Sequence, residues 1–102
     1  MPFGITFDIP GLTGEQYDRL VLQLSRLTAG QPGFLVHLSG PTETGYRVTE
    51  VWQSAEDQER FVDEQVAPLF EQEGVPPAHV ETFAVETVIV PLTTEEDGSP
   101  DI

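Results

Sequence analysis

The chain is 102 residues long, 38% hydrophobic, and carries 18 acidic against 4 basic residues, for a formal net charge of −14. That length suits one domain with a modest core, and that charge disfavours nucleic-acid backbones and anionic membrane surfaces as partners. The absence of cysteine excludes disulfides, thiolate catalysis and zinc–thiolate sites, and because Arg19, Arg26, Arg47 and Arg60 are the only basic residues, a lysine Schiff base is excluded too.

Met1-Pro2-Phe3-Gly4 lacks the basic region and apolar stretch of a secretory signal. No run of about 18 apolar residues is long enough to span a membrane. A cytoplasmic location is the expectation.

Phe3, Ile5, Phe7 and Ile9 alternate with Thr6 and Asp8, the period of a strand, which Pro10-Gly11 ends. Thr13 with Gln16 three residues on makes a capping box. Tyr17, Leu20, Val21, Leu24 and Leu27 then follow at helical spacing, so an amphipathic helix is predicted over about 13–29, stopped at Gly30. Phe34 to Ser39 and Tyr46 to Gln53 read as two strands of an antiparallel hairpin around a Gly40–Gly45 turn. Ser54 caps a second helix with Glu56 and Asp57 in its first turn, at the positive end of the helix dipole. Phe61, Val62, Val66, Leu69 and Phe70 form its apolar stripe, Pro68 should kink or divide it, and Gly74 ends it. A last strand is expected over about 80–90.

The order β-α-β-β-α-β predicts an α+β fold, the ferredoxin-like sandwich: a four-stranded antiparallel sheet with two helices on one face. The domain is expected to span 1–91. The remaining 92–102, rich in Thr, Glu, Asp, Ser, Gly and Pro, is expected to be an acidic disordered tail. Two helices cover one sheet face, yet the second and fourth strands carry large apolar residues on both sides: Leu35 opposite Phe34, Val36 and Leu38, and Phe83, Val85 and Ile89 opposite Val80, Ala84, Val88 and Val90. An uncovered apolar face marks an interface or a ligand site, so a homodimer pairing sheet against sheet is expected. The alternative is a twisted last strand whose ends bury different faces.

This order, the two-sided sheet, Val51-Trp52-Gln53-Ser54 entering the second helix, and Ile9-Pro10-Gly11-Leu12-Thr13-Gly14-Glu15-Gln16-Tyr17-Asp18 resemble the dimeric α+β barrel superfamily, and within it the antibiotic-biosynthesis-monooxygenase-like group of small bacterial proteins. The resemblance covers about residues 3–91. It implies a pocket between sheet and helices for an apolar or aromatic metabolite, and often oxygenation without metal or flavin. The same group includes cyclases, decarboxylases, haem-degrading proteins and proteins with no activity, so fold alone does not choose among them. The chain departs from the pattern in two places. The aromatic-polyketide oxygenases use an asparagine, and this chain has none; several members carry a histidine on the second helix, where this chain has Phe61 and no histidine.

Among the residues themselves, His37 lies mid-strand between apolar neighbours. It reads either as a general base, the role an imidazole serves near neutrality, or as a hydrogen-bonded histidine of the core or interface. Glu50 shares a strand face with Trp52 and is a second candidate base; the alternative is a solvated acid at the sheet edge. Trp52 either stacks on a flat substrate or anchors the core. Tyr17 and Tyr46 are candidate donors to a bound carbonyl, with core packing the alternative for Tyr17. Asp8 and Glu86 are further strand acids; Arg47 and His79 read as peripheral.

Hairpin register decides whether His37 meets Glu50 and Trp52. The preferred register sets Ser39 opposite Tyr46 and His37 opposite Val48, which groups the polar and aromatic side chains and assigns Val36, Leu38 and Val51 to the core. No spaced metal-ligand motif, nucleophile elbow, phosphate loop or dinucleotide fingerprint is present. No metal or cofactor is implied. Two readings follow: a cofactor-independent monooxygenase or cyclase acting on an apolar metabolite, or a non-catalytic binding or structural dimer.

Overall fold

The computed structural model describes residues 2–89; the expected tail over 92–102 lies outside them. Eight elements follow in order: β1 (Phe3–Pro10), α1 (Gly14–Thr28), β2 (Phe34–Pro41), β3 (Gly45–Trp52), α2 (Ala55–Phe61), a π-helix (Val62–Val66), α3 (Ala67–Glu73) and β4 (His79–Ala84). The sheet is antiparallel in the order β2-β3-β1-β4, the ferredoxin-like arrangement, with the helices on one face. No helix among the described residues is long and apolar enough to cross a membrane.

Local chemistry sets the boundaries. Thr13 and Gln16 close the capping box at the start of α1. Ser54 accepts from the Asp57 N–H at the start of α2. Pro68 does divide the second helix, and a widened turn precedes it. A proline ring meets the carbonyl four residues back and offers no N–H to it. The π-helix replaces the regular turn at this point, with the Ala67 N–H reaching back to the Val62 carbonyl. Gly74, at φ 66°, then stops α3 in the left-handed region that glycine enters without penalty.

The core joins Ile9 of β1 to Leu12, Leu20 and Leu24 on the α1 side and Leu69 of α3. Toward the other end of the sheet Trp52 is fully buried, its ring 5.3 Å from Phe34 and 5.2 Å from Phe61. Gln16 of α1 donates to the Glu73 and Gly74 carbonyls, and Arg19 pairs with Glu73, so the start of α1 is tied to the end of α3.

The hairpin departs from the preferred register by two residues. The ladder pairs Pro41 with Tyr46, Ser39 with Val48 and His37 with Glu50. The cause is a tighter turn: both strands extend toward Thr42–Thr44, where the Thr42 N–H donates to the Gly45 carbonyl at 2.8 Å and the Gly45 N–H to Thr42 Oγ1 at 3.0 Å. A shift of two preserves parity, so His37 stays on the face of Glu50 and Trp52.

A bulge sits between Phe34 and Val36, which pair with Trp52 and Val51 respectively, and leaves Leu35 unpaired. Phe34 therefore joins the helix-covered face, whereas Val36, Leu38 and Val51, assigned to the core from sequence, lie on the open face, with Leu38 62% exposed. That face is mixed. Thr6 and Thr49 share a 3.0 Å hydrogen bond at its centre, and Phe83 lies across Gly4. Arg47 pairs with Asp8 at 2.7 Å; that hydrogen bond, with the nearby charges of Asp8 and Glu81, raises the guanidinium above its usual range. β4 ends at Ala84, short of the strand expected to about residue 90.

Candidate active site

Glu50 is the pivot of the helix-covered face. It lies on β3 between Val48 and Trp52, opposite Ile5 of β1 and His37 of β2, and is only 5% exposed. An unpaired buried carboxylate would be costly. Here each oxygen has a partner: Trp52 Nε1–H donates to Oε1 at 3.1 Å, and His37 Nδ1 lies 2.8 Å from Oε2.

With Glu50 ionised, the arrangement selects a tautomer. An ionised carboxylate only accepts, so Nδ1 must carry a hydrogen, and in the neutral ring the lone pair then sits on Nε2. Nε2 has no hydrogen-bond partner among the described residues. Two strands and one indole thus fix the imidazole: β2 supplies it, β3 supplies the carboxylate that orients it, and Trp52 fixes the carboxylate.

His37 and Glu50 border a cavity of about 20 Å³, otherwise walled by apolar residues including Phe7, Leu24, Val62 and Val66. That is room for about one water molecule. Two larger open spaces share its walls. A groove of about 390 Å³ between α1 and β2 includes His37 and Leu24. A groove of about 370 Å³ between the π-helix, α3 and β4 includes Phe7, Val62, Val66 and Phe70.

Of the sequence candidates, the fold brings His37, Glu50 and Trp52 together. Trp52 is enclosed by Phe34 and Phe61 and lines none of these spaces. Tyr17 and Tyr46 meet each other instead, stacked 4.3 Å apart at 8°, with the Tyr17 hydroxyl 2.6 Å from Ser39 Oγ. Ser39 is two residues from His37 on the same strand face, so this pair closes the neighbouring end of the sheet. Asp8 is turned to the open face by its bond to Arg47, and Glu86 and His79 are exposed. No group of three or more metal-ligating side chains gathers among the described residues.

Sequence reasoning missed Ser39, and it treated Val62, Val66 and Phe70 as plain core. Pro68 was the one signal that the wall they form is irregular.

No family model matches the sequence, and neither does any curated protein sequence. Solved structures do match, and they show the fold: the same α+β sandwich is found in a cofactor-independent oxygenase and in a putative antibiotic biosynthesis monooxygenase from Deinococcus radiodurans. The chain is similar to SnoaB, a cofactor-independent oxygenase from Streptomyces nogalater, at 14% identity and TM-score 0.64 over 86% of this chain and 94% of that one. It is also similar to the NE2512 protein of unknown function from Nitrosomonas europaea, at 11% identity and TM-score 0.68 over 89% and 95% of the two chains. A third similar structure is the hydroxynitrile lyase from Passiflora edulis, at 14% identity and TM-score 0.60 over 86% and 95%. At these identities the likeness is one of fold.

Proposed function

We propose that the chain is a cofactor-independent enzyme that removes a proton from a neutral, apolar or aromatic carbonyl compound, with His37 as the base. The observation that carries this reading is the His37–Glu50–Trp52 array, in which a buried carboxylate bonded through both oxygens holds an imidazole that borders an apolar cavity. Nε2 takes the proton from a carbon or hydroxyl acidified by the carbonyl. The electron pair stays on the substrate as an enolate or phenolate, and Glu50 stabilises the imidazolium. Such an anion is the reactive species that a monooxygenase would present to dioxygen and that a cyclase would use for ring closure. Similarity to a cofactor-independent oxygenase supports chemistry that needs no bound group.

In this reading Glu50 and Trp52 act through His37, and Tyr17 and Tyr46 wall the end of the site. Val36, Leu38, Val51 and Phe83 on the open face support pairing of two copies, as the fold resemblance implies.

The competing reading is a non-catalytic binding or structural dimer; the water-sized cavity beside His37 favours it. Deuterium exchange into the carbon next to the carbonyl of 1-tetralone, a neutral aryl ketone, separates the two. The enzyme reading predicts exchange above the buffer rate that falls by about 10²-fold or more in His37→Ala. Equal exchange by the two proteins supports the non-catalytic reading.

A further inference from the structure

Val62 and Val66 line two spaces at once. One is the water-sized cavity against His37 and Glu50; the other is the 370 Å³ groove toward Pro76 and β4. Every residue lining that groove is apolar. A charged molecule would lose its hydration there without compensation, and the chain's net charge of −14 further repels anions. The groove therefore suits a neutral apolar small molecule, and its volume lies in the usual range for such ligands, about 300–1,000 Å³. Phe7 and Phe70 line both spaces as well, while His37 and Glu50 line only the smaller of the two.

The segment carrying those valines is built differently from its flanks. α2 is held by buried Phe61 and α3 by buried Leu69, whereas no residue of the π-helix is buried. A π-turn holds one residue more than the α-helical turn it interrupts, and Pro68 keeps it from closing to the regular pattern. The surplus residue lies between the two buried anchors, Phe61 and Leu69.

We infer that Val62 and Val66, on the π-helix, are the specificity-determining gate between the apolar groove and His37, admitting flat neutral molecules. This inference rests on the reading that a ligand uses the cavity beside His37.

The test titrates the full chain with the neutral dye N-phenyl-1-naphthylamine, following its fluorescence and the ring resonances of His37 and His79. In the wild type the dye should bind and move the His37 resonances while leaving those of His79 in place. Val66→Phe should plug the neck, lowering affinity about tenfold or more and abolishing the His37 response. The Val62→Ala, Val66→Ala double variant should widen it, raising the association rate several-fold, on the order of threefold or more. Dye binding that leaves His37 unmoved in the wild type overturns the inference. So does a folded Val66→Phe protein that behaves as wild type. If circular dichroism shows that Val66→Phe does not fold, an unchanged association rate in the double alanine variant overturns it equally. Gated binding without tetralone exchange sinks the catalytic reading and leaves the gate standing; exchange indifferent to both valines does the reverse.

Discussion

Glu50 Oε2 lies 2.8 Å from His37 Nδ1 across the β2–β3 ladder, and this contact makes the two residues one unit. Replacing Glu50 by glutamine keeps the shape and changes the hydrogen-bond arithmetic. An amide has one acceptor oxygen, but His37 Nδ1–H and Trp52 Nε1–H each need one. The amide nitrogen must then face one of them, and His37 can respond by moving its proton to Nε2. Glu50→Gln should therefore lower tetralone exchange by about 10²-fold or more while circular dichroism stays native. Retained exchange would show that Glu50 does not orient the base.

Trp52→Phe tests the next link outward. Phenylalanine preserves most of the packing between Phe34 and Phe61 but leaves Glu50 Oε1 buried without a donor. The expected cost is about 1–3 kcal/mol in urea denaturation at fixed protein concentration. Trp52→Ala, which also opens a cavity, should cost about 3–5 kcal/mol.

Gly45→Ala probes the hairpin that sets the register. A Cβ at this position would collide with the backbone carbonyl of Ile9 and approach the Gly11 nitrogen, and neither can move without disturbing β1. A loss of about 1–3 kcal/mol or more is expected. Gly40→Ala, with no atom near its added Cβ, should stay within about 0.5 kcal/mol of wild type. Similar losses for the two variants would contradict the tight turn.

The open face carries the fourth prediction. Leu38 and Phe83 are 62% and 46% exposed on the face away from the helices. If two copies pair there, Leu38→Asp combined with Phe83→Asp should convert a dimer to a monomer in multi-angle light scattering with the helical content intact. A wild-type monomer at micromolar concentration would remove the dimer from the account.

Much of this architecture is legible in the sequence because its signals are local. The alternation from Phe3 to Ile9, the Thr13–Gln16 box and Pro68 each act through neighbouring atoms, and each delivered the expected element. The grouping of His37 with Glu50 and Trp52 was legible through parity, since a two-residue register error leaves every side chain on its face. The bulge at Leu35 was not legible. It depends on how Phe34 packs against Trp52 across the ladder, and no neighbour of Leu35 in the chain encodes that contact. The role of Trp52 was likewise hidden: an indole that donates to Glu50 and one that stacks on a ligand have the same sequence pattern. The size of the cavity depends on the π-helix, and Pro68 alone does not specify its width.

The most direct test is the protonation of the His37 ring, read from its nitrogen NMR chemical shifts at a pH where the imidazole is neutral. With only two histidines in the chain, a His79→Gln variant assigns the signals. The account predicts a proton on Nδ1 and a bare, pyridine-like Nε2. A ring protonated on Nε2 would mean that Glu50 does not hold His37 as described, and His37 would then have no lone pair on Nε2 with which to act as the base.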